Sequence, residues 1–349
     1  MTTTTTIAAP RRLRETMLAR VEKRLAAFLA ADRAHWGAKN PDSVELVDCV
    51  AEMVGGGGKR LRPSFLLAGY LAAGGDPESD LPVDAAAAVE LLHTSALLHD
   101  DVIDEADLRR GRPTAHRRHA HLHGELGWQG ESGHYGESVA LLAGNLALVQ
   151  AERLLENCPL AARRVWSDLT TEVMMGQFLD ARSAARSVPD PDLARWIALF
   201  KSGRYTVAQP LVMGAALAGD EALRPALEEY GLALGEAFQL RDDLLDAFGD
   251  EAETGKSARL DFSSHKMTLL MSIALHEEPE VAALVRTDLR STDPEQLHKL
   301  LLATGMKERV ENVIDERLRA AIAVAERALH PEWAEELRAM AVAAAHRKS

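Results

Sequence analysis

Over residues 84–98 apolar side chains occupy positions on almost every side of a helix, and the run leads directly into Asp100-Asp101-x-x-Asp104. A helix that is apolar all round has to be buried against several neighbours. The chain therefore has to build a multi-helix assembly with carboxylates at the end of an inner helix. Ala, Leu, Glu and Arg dominate the rest, and aromatic residues make up only 5%, which favours helices over a large sheet. Similar segments run over residues 137–156, 161–181, 192–217 and 221–248, with amphipathic helices at 12–30 and 313–329. Pro77, Pro82, Pro159, Pro189, Pro191, Gly219, Pro279 and Pro294 punctuate them. The His- and Gly-rich stretch 116–136 reads as a loop or a loose helix.

The first acidic motif has an echo at Asp242-Asp243-x-x-Asp246, but no solenoid repeat is present. The 349 residues allow two domains. The distinctive motifs spread from Gly55 to Thr268 with no linker between them, so the expectation is a disordered tail over 1–9 and a single α-helical domain over 10–349. The net charge of −13 argues against a nucleic-acid partner. Cys49 and Cys158 cannot make a disulfide framework. The Thr-rich stretch 1–10 has no apolar core, and no run reaches about 18 apolar residues. A cytoplasmic protein with no transmembrane segment is the expectation.

Each helical residue turns about 100°, so Asp100 and Asp104 share a face, as do Asp242 and Asp246. Carboxylates without His or Cys partners suit hard cations, Mg²⁺ above all, which takes one or two carboxylates plus substrate phosphates. A solvated acidic face is the plainer reading of one such motif. Two inside apolar helices point to metal, because a buried carboxylate is costly without a cation. His93, seven residues before Asp100, returns to the same face. Basic residues surround both motifs: Arg109-Arg110-Gly111-Arg112, Gly255-Lys256, Lys266 and Gly55-Gly56-Gly57-Gly58-Lys59-Arg60-Leu61-Arg62. The glycines let backbone approach a phosphate, and Lys59 and Arg62 add charge. Together these make two anion sites beside a metal site.

Other patterns fail. Gly255-Lys256-Ser257 lacks the P-loop glycine, since Asp250 stands in its place. Glu90-x-x-His93 and Glu131-x-x-His134 mimic a di-iron pair, but Gly130, Gly133 and Gly136 make the second copy a poor helix.

The full set resembles the trans-type isoprenyl diphosphate synthases, and within them bacterial geranylgeranyl diphosphate synthases. It comprises Gly58-Lys59-Arg60-x-Arg62-Pro63, Glu90-x-x-His93-x-x-x-Leu97-x-x-Asp100-Asp101-x-x-Asp104, Arg109-Arg110-Gly111, Gly176-Gln177-x-x-Asp180, Lys201-x-Gly203-x-Tyr205-Thr206 and Phe238-Gln239-x-x-Asp242-Asp243-x-x-Asp246. Gly255-Lys256, Asp261 and Lys266-x-Thr268 fit the same pattern. The resemblance implies an all-α, isoprenoid-synthase-type bundle around a central cavity, usually a homodimer. It implies Mg²⁺, three ions per site with Mn²⁺ as a substitute. Metal would be held by Asp100, Asp104, Asp242 and Asp246, with Asp101 and Asp243 as ligands or supporting partners. Lys59, Arg62, His93 and Arg110 would bind isopentenyl diphosphate. Arg109, Lys201, Gln239, Lys256 and Lys266 would bind an allylic diphosphate. Gln177 would lie beside its chain, and Lys201 and Ser202 would face the allylic cation. Two positions depart from the family pattern: Asn145 replaces Asp, and Ser202 replaces Thr. Asn145 removes a charge expected near the cavity.

The implied reaction is Mg-assisted ionisation followed by chain elongation. A terpene cyclase would need only one diphosphate site, and a non-catalytic subunit would be expected to lose an aspartate motif. Neither departure occurs here. Small Ser95 and Ala96, with Leu92 one turn further back, suggest a chain path past Asp100 and a twenty-carbon product, with farnesyl or longer products as alternatives. Helix geometry favours Ala96, about 40° from Asp100, over Ser95.

Overall fold

Met17, Val21, Leu25 and Leu29 recur every fourth residue along α1 (Ala8–Lys39), and all four are buried. This stripe lays α1 against α2 (Val44–Gly55), α3 (Leu61–Ala72) and α4 (Leu81–Ile103). The structure, a computed structural model, describes residues 8–186, 188–249, 267–285 and 292–347. Ala8 and Ala9 of the expected tail belong to α1, and the rest of that tail lies outside the described residues. One contiguous buried cluster runs from Met17 to Ala345.

Most of α4 is buried. Ala85, Ala86, Ala87, Ala88, Val89, Leu91 and Leu98 have no exposed surface. By length and composition α4 could cross a membrane, yet 72% of its most apolar stretch is buried inside the protein. Beyond it, Leu108–Arg109 pairs antiparallel with Arg112–Pro113. Arg110 and Gly111 both take positive φ at the tip, as a tight mirror-image hairpin turn requires. This ribbon is the only sheet among the described residues.

Over residues 116–136 the helical alternative holds rather than the loop. Most of them belong to α5 (Ala115–Glu125) and the start of α6 (Ser132–Leu154). His116, His119 and His123 form the buried face of α5. Gly136 allows the two helices to touch, since a Cβ there would lie 2.1 Å from the His116 carbonyl oxygen. Glu131 of the discarded Glu-x-x-His copy is the N-cap of α6, where its carboxylate accepts from the Gly133 and His134 N–H groups.

The segment 192–217 is not one α-helix. After α7 (Leu160–Arg186) come α8 (Pro191–Ile197), a π-helical stretch Ala198–Ala208, and α9 (Gln209–Ala218). The π stretch packs against α10 (Arg224–Phe248) through glycines: a Cβ on Gly235 would lie 2.6 Å from the Gly203 Cα. Such wider turns often mark functional sites.

Further helices cover Leu269–Glu277, Pro279–Leu284, Pro294–Ala303, Met306–Ala328 and Pro331–Ala345. Pro82, Pro191, Pro279 and Pro294 stand in first turns, where their missing N–H is harmless. Two buried bonds fix the C-terminal helix to α10. The Tyr230 hydroxyl donates to the Leu337 carbonyl at 2.8 Å, and Arg241 Nε donates to the Ala345 carbonyl at 2.6 Å. The chain end is thereby brought to the acidic end of α10. Both cysteines are buried and free.

Candidate active site

The last turns of α4 and α10, the middle of α7 and the π stretch enclose a cavity of about 280 Å³. Asp100 lines it from α4 and Asp242 and Asp243 from α10, so the two acidic motifs meet at one space. Arg62, His93, Ala96, Gln177, Lys201, Ser202 and Gln239 share its wall. His93 and Asp100 face the same way, as their seven-residue spacing requires. The helix approach at Lys201 depends on Gly176, where a Cβ would lie 2.5 Å from the Lys201 nitrogen.

Each acidic motif is split by burial. Asp101 and Asp243 are buried, whereas Asp100, Asp104, Asp242 and Asp246 are half-buried. Asp101 accepts from Arg109 Nε at 2.7 Å, while its Oδ2 is buried with no hydrogen-bond partner. Burial pushes its carboxyl up despite the Arg109 bond. Asp243 accepts from Gln239 Nε2 at 2.8 Å and from the Leu270 N–H at 3.2 Å. Burial still drives it up to about 7.

The half-buried carboxylates face cations. Lys201 Nζ lies 2.5 Å from Asp180 and 3.5 Å from Asp100, and Gln177 Nε2 donates to Asp100 at 3.2 Å. Arg109 Nη2 lies 3.7 Å from Asp100. Arg347 pairs with Asp242, its guanidinium 3.8 Å from the centre of the Phe238 ring. Among the described residues no three His, Cys, Asp or Glu side chains form a closed metal site. An all-oxygen donor set on two facing elements, with a buried Asp101 oxygen unpaired, fits hard cations bridged by an anion.

A second cationic group lies beside the first. Arg62 sits over the Tyr205 ring at 4.3 Å, and the Tyr205 hydroxyl is 3.1 Å from His93 Nδ1. Arg110 donates to the Gly57 carbonyl, tying the hairpin to the glycine loop. Burial, then Arg62, Arg109, Arg110 and Arg60, hold His93 well below the usual imidazole range, so it is neutral near pH 7. Burial and Arg347 also lower Lys59, with Asp242 opposing them.

Not every expected residue lines the cavity. Lys59, Asp101, Asp104, Arg109, Arg110 and Asp246 do not appear in its wall. Leu92 and Ser95 are buried and outside the wall, whereas Ala96 is in it. Asn145 is exposed on α6 and is not in the wall. Lys256, Asp261 and Lys266 lie outside the described residues. Sequence reasoning misses Arg347, and only the basic run His346-Arg347-Lys348 hints at it. It also misses the apolar wall of Val173, Ala194, Ile197, Ala198 and Met267.

Residues 43–303 match the polyprenyl synthetase family model. A short chain isoprenyl diphosphate synthase of Methanothermobacter thermautotrophicus is 34% identical over 235 residues, 65% of this chain and 66% of that protein. A geranylgeranyl diphosphate synthase of Methanosarcina mazei is 31% identical over 277 residues, covering 77% and 79% of the two chains. Octaprenyl and farnesyl diphosphate synthases match at 30% and 37% identity. A geranylgeranyl pyrophosphate synthase of Corynebacterium glutamicum, crystallised with isoprenyl diphosphate and magnesium, superposes with a TM-score of 0.86. It is 36% identical, over 97% of this chain and 98% of that one. The chain belongs to the polyprenyl synthetase family and is an enzyme of the isoprenyl diphosphate synthase class.

Proposed function

We infer that this chain condenses isopentenyl diphosphate with an allylic diphosphate, growing the prenyl chain by five carbons per cycle. The observation that carries this reading is a single cavity bounded by two carboxylate faces and two separate cationic groups. Asp100 and Asp104 from α4, with Asp242 and Asp246 from α10, would hold Mg²⁺, and Asp101 and Asp243 support them by fixing Arg109 and Gln239. When bound, Mg²⁺ supplies Lewis-acid neutralisation of the departing diphosphate. Arg109, Lys201 and Gln239 orient the allylic diphosphate, and Lys256 and Lys266 are assigned to it by family resemblance. Ser202 and Gln177 line the path of its hydrocarbon.

Once the allylic C–O bond breaks, Val173, Ala194, Ile197 and Ala198 exclude water from the cation. Lys59, Arg62, Arg110 and neutral His93 hold isopentenyl diphosphate so that its double bond reaches the cationic carbon. The new C–C bond forms, and a proton then leaves to the released diphosphate. Small Ala96 in the wall favours a twenty-carbon product. The outward faces of α6 and α7 expose Leu141, Leu142, Val149, Met174, Met175 and Phe178, apolar surface that suits a homodimer. Asp100→Ala and Asp242→Ala test the assignment. Each should lower turnover at saturating Mg²⁺ by more than about 100-fold, since supporting residues of metal sites alone cost about 10–100-fold. Near-normal turnover of either variant would contradict it.

A further inference from the structure

Arg60 lies between the two residues assigned to isopentenyl diphosphate, Lys59 and Arg62, yet its own side chain is turned away into protein. Its backbone is left-handed, with φ of 46°, a region that side-chain-bearing residues rarely adopt. The guanidinium then makes contacts in three directions. Nε bonds Glu22 of α1 at 2.6 Å, Nη1 bonds Glu90 of α4 at 2.5 Å, and Nη2 donates to the Val54 carbonyl of α2 at 2.8 Å. The Arg60 and Glu90 side chains are 9% and 7% exposed, so water does little to screen the pair. The Arg60 carbonyl also accepts from the Ser64 N–H, opening α3.

One side chain thus pins the entry to α3 onto three helices while its backbone holds a rarely populated turn. Such strain persists only where surrounding contacts over-determine it, and it clusters at ligand clamps. Glu90 lies one turn before His93 on α4, and His93 reaches Arg62 through Tyr205. A shift of Arg60 would therefore move Lys59 and Arg62 relative to His93. Lysine cannot replace it, because a single ammonium cannot span three acceptors in a planar fork.

We propose that the buried Arg60–Glu90 pair, tied at the surface to Glu22, is a positioning device that sets the geometry of the isopentenyl diphosphate site without touching substrate. The proposal rests on the assignment of that site above. The test is the KM for each substrate in Arg60→Lys, in the double variant Arg60→Met/Glu90→Met, and in Lys59→Ala, with the melting temperature of each. The double variant leaves no uncompensated buried charge, so it tests position rather than a stranded carboxylate.

The expected result is a rise of about ten-fold or more in the KM for isopentenyl diphosphate in Arg60→Lys and the double variant, since a displacement of about 1 Å can cost up to about 100-fold. The allylic KM should stay within about two-fold, because that diphosphate is held by a different set of residues. If a folded double variant keeps the isopentenyl KM within about two-fold of the parent, the cluster only supports the fold and the proposal fails. If the double variant does not fold, Arg60→Lys decides by the same criterion. If Lys59→Ala leaves the isopentenyl KM unchanged, the site assignment itself has failed, and the proposal with it.

Discussion

At His93, burial and four arginines oppose protonation while the Tyr205 hydroxyl lies 3.1 Å from Nδ1. The folded protein therefore refuses a proton that the unfolded chain accepts below about pH 6.5. Above that pH both states are neutral and His93 contributes no pH dependence; below it, stability is lost as the pH falls. A neutral ring acts as a hydrogen-bonding group, which an amide can imitate. His93→Gln should keep the KM for isopentenyl diphosphate within about three-fold, whereas His93→Leu should raise it about ten-fold or more, the scale of a lost hydrogen bond to a charged group. Between about pH 7 and 9 the parent and the His93→Gln variant should show the same pH profile of KM, because neither side chain titrates there. A pH profile altered by His93→Gln in that range would contradict a neutral imidazole. His93, Asp100, Lys201 and Asp242 line one cavity; helical periodicity makes only the shared face of His93 and Asp100 legible, whereas Lys201 is expected from the family resemblance alone. Arg347 was illegible, since tertiary contacts such as the bonds of Tyr230 and Arg241 bring this segment back to α10.

Among the elements, α4 joins core and chemistry. Its apolar turns are buried in the core, and its last turn delivers Asp100 to the cavity. Ala96 lies one turn before Asp100 in the cavity wall, while Ser95 is buried in the core. One turn rises about 5.4 Å, comparable to one prenyl unit. Ala96→Phe should therefore shift the main product toward fifteen carbons with condensation retained. Product analysis of an active Ala96→Phe enzyme with the parent's product distribution would remove Ala96 from the chain path. The existence of the long helices was legible from their periodicity, but the π stretch was not. Its wider turn depends on Gly203 meeting Gly235 and Gly176 meeting Lys201, contacts between residues distant in sequence. Of the two alternatives over residues 116–136 the helix holds: glycine and histidine are weak helix formers, and tertiary contact overrode that preference.

On the scale of the whole molecule, the exposed apolar residues of α6 and α7 are left uncovered by the described helices and predict association with a second copy. Sedimentation at micromolar concentration should give a dimer, and Leu142→Glu/Phe178→Glu should give a folded monomer. A monomeric parent protein would contradict this use of the surface. Lining residues from α3, α4, α7, α8 and α10 make the cavity a property of the complete bundle rather than of any one motif. This one cavity should both ionise an allylic diphosphate and extend it with isopentenyl diphosphate. The direct measurement is product analysis of the purified chain alone, with Mg²⁺, labelled isopentenyl diphosphate and dimethylallyl, geranyl or farnesyl diphosphate as primer. Label should appear in longer linear prenyl diphosphates, ending mainly at twenty carbons, and in none when the metal is chelated. A metal-replete protein that yields only hydrolysed or cyclised primer, with no label incorporated, would contradict it.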